Sequence, residues 1–409
     1  MSKYDSYFLM EEGDIEGYIA ERLPHFFDGN AKLECKEIGD GNLNYVFRLR
    51  DVDSGRSVIV KQAGETLRIS DQMRLSTDRG RIEAEVLGIH RQYVADLVPE
   101  VYLYDGVMCA IVMEDMVGYT MMRTGLIKHE IYPLFADHIS TFLVNTLLNT
   151  TDVVMCHKEK KELVKQFINP DLCEISEDLV YSEPFMDYNQ RNNVFPPNAD
   201  FVRRELYEDK ALHLEVAKCK FAFMNHAQSL IHGDLHTGSI FINQEHTYVF
   251  DPEFAFYGPM GYDVGNVLAN IFFAWCNGDA VIEDEERKRE FCDWALDTIE
   301  EVTDQFVSKF RVVFEERATE RMAKVEGFLD WYLGEILEDT AAVTGMELIR
   351  RAVGMANVKD ITSIADEEKR VRAERIVITL AKDCIMNRGK FVDGKAYRKA
   401  ILEAIGKWS

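Results

Sequence analysis

The stretch LIHGDLHTGSIF, residues 230–241, sets a polar loop between what reads as an apolar helix end and an apolar strand, and it decides the fold. Such a loop presents its side chains from a rigid base. An aspartate held there can accept the proton of an attacking hydroxyl, while most of the rate of a phosphoryl transfer comes from positioning and charge neutralisation. Asp234 is therefore read as a general base. Alone, His-Gly-Asp is an ordinary turn triplet, since Gly and Asp favour turns for conformational reasons.

It does not stand alone. Seventeen residues on, Tyr248-Val249-Phe250-Asp251-Pro252-Glu253 ends a short apolar strand with two carboxylates two positions apart, which an extended backbone points to one side. Paired hard oxygens suit magnesium that is also held by the phosphates of ATP. The competing reading of these residues is an acidic turn after a strand. Upstream, Gly39-Asp40-Gly41-Asn42-Leu43-Asn44 sits between two strands, as a phosphate-covering flap does, although a bare hairpin turn has the same look. Lys61 ends a third, otherwise apolar strand, and a charge there needs an anion if the strand faces inward. Nucleotide phosphates and Glu83 are the candidates, with Glu85 the competitor of Glu83.

Working outward, the first quarter reads as mostly strand: 33–38, 45–49, 57–61, 101–104 and 108–113, with one helix over 77–93 carrying Ile82, Val86, Leu87 and His90 at helical spacing. Beyond a connector at 114–119 the signals turn helical, over about 129–149, 211–228, 262–276, 284–315, 318–338, 345–357, 367–388 and 394–407. Residues 168–200, rich in Asn, Pro, Asp and aromatics, read as an ordered irregular insert. The expected architecture is α+β and bilobal, with a small β-rich lobe over 1–115 and a larger, mostly helical lobe over 116–409.

Composition narrows the function further. With 47 Lys and Arg against 71 Asp and Glu, the formal charge is −24, a surface that repels phosphodiester backbones and anionic headgroups, so neither nucleic acid nor membrane is an expected partner. There is no apolar run of membrane-spanning length and no signal-peptide pattern after Met1, which places the chain in the cytoplasm. The 8 cysteines are scattered without a CxxC pair, so the expectation is buried reduced thiols and neither zinc nor disulfides.

In this order the pieces resemble the protein-kinase-like superfamily that includes aminoglycoside and choline kinases, and more narrowly the 5-methylthioribose kinase family. The resemblance runs over nearly the whole chain and rests on IGDGNLNYVFRL at 38–49, DRGRIEAE at 78–85, LVKQFINPDLC at 163–173, LIHGDLHTGSIF at 230–241, DPEFAFYGPMGYDVGN at 251–266 and ELIRR at 347–351. It implies a kinase that uses ATP and magnesium to phosphorylate S-methyl-5-thio-D-ribose at its 1-hydroxyl, a step of methionine salvage, and that works as a homodimer.

By residue, the resemblance implies Asp234 as catalytic base, Asp251 and Glu253 as magnesium ligands, Lys61 with Glu83 at the phosphates, and Gly39, Asp40, Gly41, Asn42 and Asn44 in the ATP flap. Glu114, Asp115 and Met116 form the hinge whose backbone reads adenine. Arg350 and Arg351 match a twin-arginine element that joins Asn44 and Asp234 at the sugar and steadies the transferred phosphate; from the helix sequence alone they are a pair of surface charges. Ser239 stands where the wider superfamily has a metal-binding Asn, and Asp263 caps a helix or braces the loop. His232 is read as a packing histidine, and the role of His236 is left open. Two rivals follow: a kinase of another small hydroxylated metabolite such as choline or an aminoglycoside, and a catalytically inactive nucleotide-binding regulator.

Overall fold

The computed structural model describes residues 2–38, 44–64, 66–67 and 70–409, with 66–67 and 70–74 given by backbone alone. The chain forms two units, Met1–Tyr119 with Tyr248–Phe254, and Thr120–Thr247 with Ala255–Ser409. The first holds helix α1 (Glu12–Arg22), strands β1 (Leu33–Glu37), β2 (Asn44–Asp51) and β3 (Ser57–Ala63), a short β4–β5 hairpin (Thr66–Leu67, Ser70–Arg74), helix α2 (Asp78–Val94), and strands β6 (Val101–Asp105) and β7 (Ala110–Glu114).

Five of these strands form an antiparallel sheet in the order β1-β2-β3-β7-β6. Central β3 is covered on both faces. Val58 and Val60 enter a core with Ile15, Tyr18, Phe47 and Val112. Because side chains alternate along a strand, Ile59, Lys61 and Ala63 take the opposite face. There Gly80 of α2 comes so close that a Cβ on it would stand 3.6 Å from the Cβ of Ala63. Strand register thus delivers Lys61 to α2. Helix α1 is absent from the sequence reading: only Ile15, Tyr18 and Ile19 along it are buried, a stripe too narrow to stand out in a polar segment.

The second unit is mainly helical, with α3 (Met122–Ile127), α4 (Phe135–Leu148), α5 (His157–Gln166), α6 (Pro170–Leu179), α7 (Glu183–Met186), α8 (Ala199–Val202), α9 (Lys210–Asn225), α10 (Gly261–Val281), α11 (Glu285–Arg317), α12 (Phe328–Val353), α13 (Lys359–Thr362), α14 (Glu367–Met386) and α15 (Gly394–Gly406). Short strands β8 (Thr120–Met121), β9 (Ser229–Ile231), β10 (Ile240–Ile242) and β12 (Phe256–Gly258) lie among them, and β11 (Thr247–Val249) begins in this unit at Thr247 and continues into the 248–254 segment of the first. The 168–200 insert is largely helical instead of irregular: Pro170 and Pro184 lie in first turns, where a fixed φ favours a helix and no amide is missed. The helices read over 318–338 and 345–357 are one, α12; Gly345 lies inside it because a Cβ there would stand 2.4 Å from the Ala381 carbonyl of α14. Of the cysteines, all free, only Cys276, Cys292 and Cys384 are buried and Cys156 is exposed, so the expectation of buried thiols holds for those three. No helix among the described residues is long and apolar enough to cross a membrane.

Helix α10 is apolar nearly all round and buried along almost its whole length, as such a helix must be. It meets α12 backbone to backbone: a Cβ on Gly265 would lie 2.7 Å from the Thr340 carbonyl oxygen and 2.8 Å from the Thr344 amide. Neither backbone atom has room to yield, so Gly265→Ala is expected to cost about 1–3 kcal/mol of stability, seen as a lowered Tm. On α12 itself, burial and the neighbouring Glu335 push the Asp339 carboxyl up to about 6. A carboxyl raised on folding favours the protonated form, so its contribution to stability falls as pH rises from about 4 to about 6. Asp339→Asn is therefore expected to raise Tm at pH 8, by about 1–2 kcal/mol of stability after discounting for partial exposure, and to give no gain at pH 4. Thermal melts of both proteins at the two pH values check it.

Candidate active site

In the first unit, Lys61 pairs with Glu83 Oε2 at 2.7 Å and with the Asp251 carboxylate. Glu85, the second-ranked candidate, instead pairs with Arg81 at 2.7 Å on the partly exposed flank of α2, so it is Glu83 that meets Lys61. The Asp251 and Glu253 carboxylates come together with that of Glu83, one oxygen of each lying within 4.8 Å of the others. They do so without the extended backbone expected of them: Asp251 has φ +69°, a left-handed conformation that Asp tolerates better than most residues.

Around this cluster, Glu253 Oε2 accepts a hydrogen bond from Asn44 Nδ2 at 3.0 Å and lies 3.4 Å from Arg79 Nε. Arg79 is fully buried and also donates to the carbonyl oxygens of Ser76 and Gly64 at 2.9 and 3.0 Å. It was not singled out in the sequence, where it sits one residue before Gly80 as one of many charges at a helix start. Burial, with the neighbouring carboxylates, pushes the Glu83 and Glu253 carboxyls above their usual range, and among the described residues Glu83 Oε1 is buried without a hydrogen-bond partner. Three hard-oxygen ligands in excess of two cations, one with an orphaned oxygen, fit a divalent cation. Gly39, Asp40, Gly41 and Asn42 of the expected flap lie outside the described residues. At the expected hinge, the Asp115 carboxylate pairs with Arg48 at 2.7 Å and accepts from the Ser57 hydroxyl at 2.6 Å, while the Glu114 amide donates to the Glu100 carbonyl at 2.8 Å and the Asp115 carbonyl accepts from the Val117 amide at 2.8 Å.

In the second unit, the 232–239 loop joins β9, which pairs with β12, to β10, which pairs with β8. The segment before it is thus a strand and not a helix end; α9 stops at Asn225. Asp263, in the first turn of α10, accepts from the amides of His232 at 2.7 Å and Gly233 at 3.0 Å, bracing the loop from below. Gly233 takes φ +83°, which favours glycine and turns the chain so that Asp234 projects. Ser239 donates its hydroxyl to the Asp234 carbonyl at 3.0 Å, and the Asp234 amide donates to His232 Nδ1 at 3.3 Å.

The Asp234 carboxylate stands 3.0 Å from Arg350 Nη2, 3.6 Å from Arg351 Nη2 and 3.3 Å from His236 Nε2. The Gly238 amide donates to His236 Nδ1 at 3.0 Å, which makes that nitrogen the acceptor and puts the ring proton on Nε2, facing Asp234. Burial lowers the His236 pKa, so the ring is neutral at pH 7. Burial alone would raise the Asp234 carboxyl, but His236, Arg350 and Arg351 hold it well below the usual carboxylate range. Both arginines, in the last turn of α12, also share buried Glu347, Arg350 through a short contact and Arg351 Nε at 3.1 Å. Glu347 was missed by sequence reasoning, although its i,i+3 and i,i+4 spacing to the two arginines was the available signal.

Residues 173–302 match the phosphotransferase enzyme family. Over 383 residues, 93% of this chain and 94% of the other, the sequence is 39% identical to a methylthioribose kinase of Bacillus cereus strain B4264. It is 38% identical over 400 residues to methylthioribose kinases of Bacillus thuringiensis strain Al Hakam and Bacillus anthracis strain CDC 684, covering 98% of each chain. Among solved structures, an ethanolamine kinase of Plasmodium vivax is similar at TM-score 0.46 and 14% identity, covering 93% of this chain and 91% of that one.

Proposed function

Because this chain belongs to the methylthioribose kinase family, we propose that it transfers the terminal phosphoryl group of ATP to the 1-hydroxyl of S-methyl-5-thio-D-ribose, releasing ADP and the sugar 1-phosphate for methionine salvage. The observation that carries this reading is Asp234 held at 3.0 Å from Arg350 on a braced loop: a proton acceptor and donors for a migrating phosphoryl group in one place.

Asp234 orients the 1-hydroxyl and takes its proton as the bond to phosphorus forms, and neutral His236 fixes the direction of that carboxylate. Arg350 and Arg351 follow the equatorial oxygens of the phosphoryl group in fork geometry, with Glu347 setting their planes. In the other unit Lys61, steadied by Glu83, holds the nucleotide phosphates, and the backbone of 114–116 takes adenine. Asp251 and Glu253 hold magnesium, which when bound neutralises charge on phosphate oxygens. This assigns 1–115, joined by Met116, Asp251 and Glu253, to ATP and magnesium, and the rest of 116–409 to catalysis and the sugar. A homodimer in the cytosol completes the reading, and light scattering of the purified chain tests the dimer.

A cationic acceptor such as choline or an aminoglycoside wants an acidic or aromatic pocket, whereas here Asp234 and Glu347 are both engaged by arginines beside the reacting hydroxyl's place. A panel of methylthioribose, choline and kanamycin with ATP and magnesium is therefore expected to give turnover on methylthioribose above the others. Equal rates on the three would overturn the substrate assignment, and no turnover on any would favour the inactive regulator.

A further inference from the structure

Next to the base lies a third arginine with almost none of its hydrogen-bonding capacity used. Arg123, at the start of α3, places Nη2 at 3.4 Å from Asn270 Oδ1 and Nε at 4.0 Å from Asp360 Oδ2, both at the limit of an interaction. Its Nη1 faces the catalytic loop, 3.2 Å from where a Cβ on Gly238 would stand. Arg123 Nε and both carboxylate oxygens of Asp360 are buried with no hydrogen-bond partner among the described residues. Asp360 is shut away at 2% side-chain exposure, whereas Arg123 keeps 20%, so of the pair Arg123 is the one open to a ligand.

Charge narrows the class of ligand. Arg123, Arg350 and Arg351 are balanced by Asp234, Glu347 and Asp360, all six from one unit. With Arg350 and Arg351 assigned to the migrating phosphoryl group, the oxygen of a neutral hydroxyl supplies the acceptor Arg123 lacks and adds no further charge to the set. Arg350 and Arg351 already spend their Nε groups on Glu347 and direct Nη2 towards Asp234, so Arg123 is the member of the set with donors to give. Burial and the neighbouring Arg351 lower its pKa, the cost of holding such a cation without strong partners.

We propose that Arg123 binds the thiosugar by donating to the oxygen of its 2- or 3-hydroxyl, and that Asp360 is the positioning residue that holds the guanidinium toward the loop. This rests on the substrate assigned above. Binding through Arg123 contributes to the ground state and the transition state alike, so its loss falls on KM for the sugar.

The test compares kcat and KM for methylthioribose and for ATP in the wild type, Arg123→Ala, Arg123→Lys and Asp360→Asn, each also assayed with the 2-deoxy and 3-deoxy sugars. Arg123→Ala is expected to raise KM for the sugar about 10- to 100-fold, as for loss of a charged hydrogen bond, with KM for ATP unchanged. One of the two deoxy sugars, poorer than the parent for the wild type, is expected to be no poorer than the parent for Arg123→Ala. If both deoxy penalties persist in full in that variant, or if the loss falls on kcat or on KM for ATP, the contact to a hydroxyl is overturned. Should Arg123→Ala not fold, Arg123→Lys carries the same comparison, with a smaller rise in sugar KM expected and an unchanged KM counting against the proposal. Asp360→Asn is expected to raise sugar KM and to add nothing in the double variant with Arg123→Ala; additive effects would overturn its positioning role. A wild type inactive on methylthioribose overturns the functional reading itself, whereas an active wild type with an indifferent Arg123→Ala overturns only this inference.

Discussion

Asp234→Ala is expected to lower kcat by about a thousandfold or more while leaving ATP affinity close to that of the wild type. The carboxylate is the acceptor that the hydroxyl needs, and the residues assigned to the nucleotide belong to the other unit. Its low pKa specifies how it works. Held down by His236, Arg350 and Arg351, Asp234 is a weak base, so its service is to aim the hydroxyl and collect the proton late, which suits a loose transition state that asks little of the nucleophile. The sign for pH follows: a depressed carboxyl stays ionised as pH falls through the ordinary range near 4, and its ion pairs are lost only below that. The acid limb of kcat/KM for the wild type is therefore not set by Asp234, and pH profiles together with single-turnover rates for the wild type and Asp234→Asn check both statements. Near-normal turnover by Asp234→Ala would remove the base assignment.

How much of this was legible in the sequence depended on whether a signal was local. The strands of the sheet and the loop around Asp234 were readable because alternation and turn residues act over a few positions. Glu83 was correctly preferred to Glu85 for Lys61, since α2 turns the first inward and the second toward Arg81. What escaped was pairing that depends on tertiary contact. Arg79 looks like any helix-start charge until it is seen buried against Glu253, and Arg123 and Asp360 lie far apart in the chain with nothing in either context to join them. Pro170 and Pro184 misled for the opposite reason, because one residue type both breaks helices and begins them.

Asp251→Asn is the second large effect expected: activity falls by about a hundredfold or more, with the remaining activity needing a higher magnesium concentration. Asn is the informative replacement because residue 251 sits at φ +69°, where Asn is tolerated nearly as well as Asp and Ala is strained. The substitution thus changes charge with little change of shape. In the wild type Glu83, Asp251 and Glu253 face Lys61 and Arg79, three negative groups against two positive, and the surplus charge is what draws a divalent cation into a buried place. Neutralising one member cancels that surplus and removes a ligand oxygen of full charge, so the two effects on metal affinity run in the same direction. Lys61 keeps its 2.7 Å pair with Glu83, so the fold of the first unit is expected to survive, and a Tm near that of the wild type separates this from unfolding. Titration of activity against magnesium is the decisive measurement: a variant with full activity at the wild-type magnesium requirement would contradict the ligand role of Asp251.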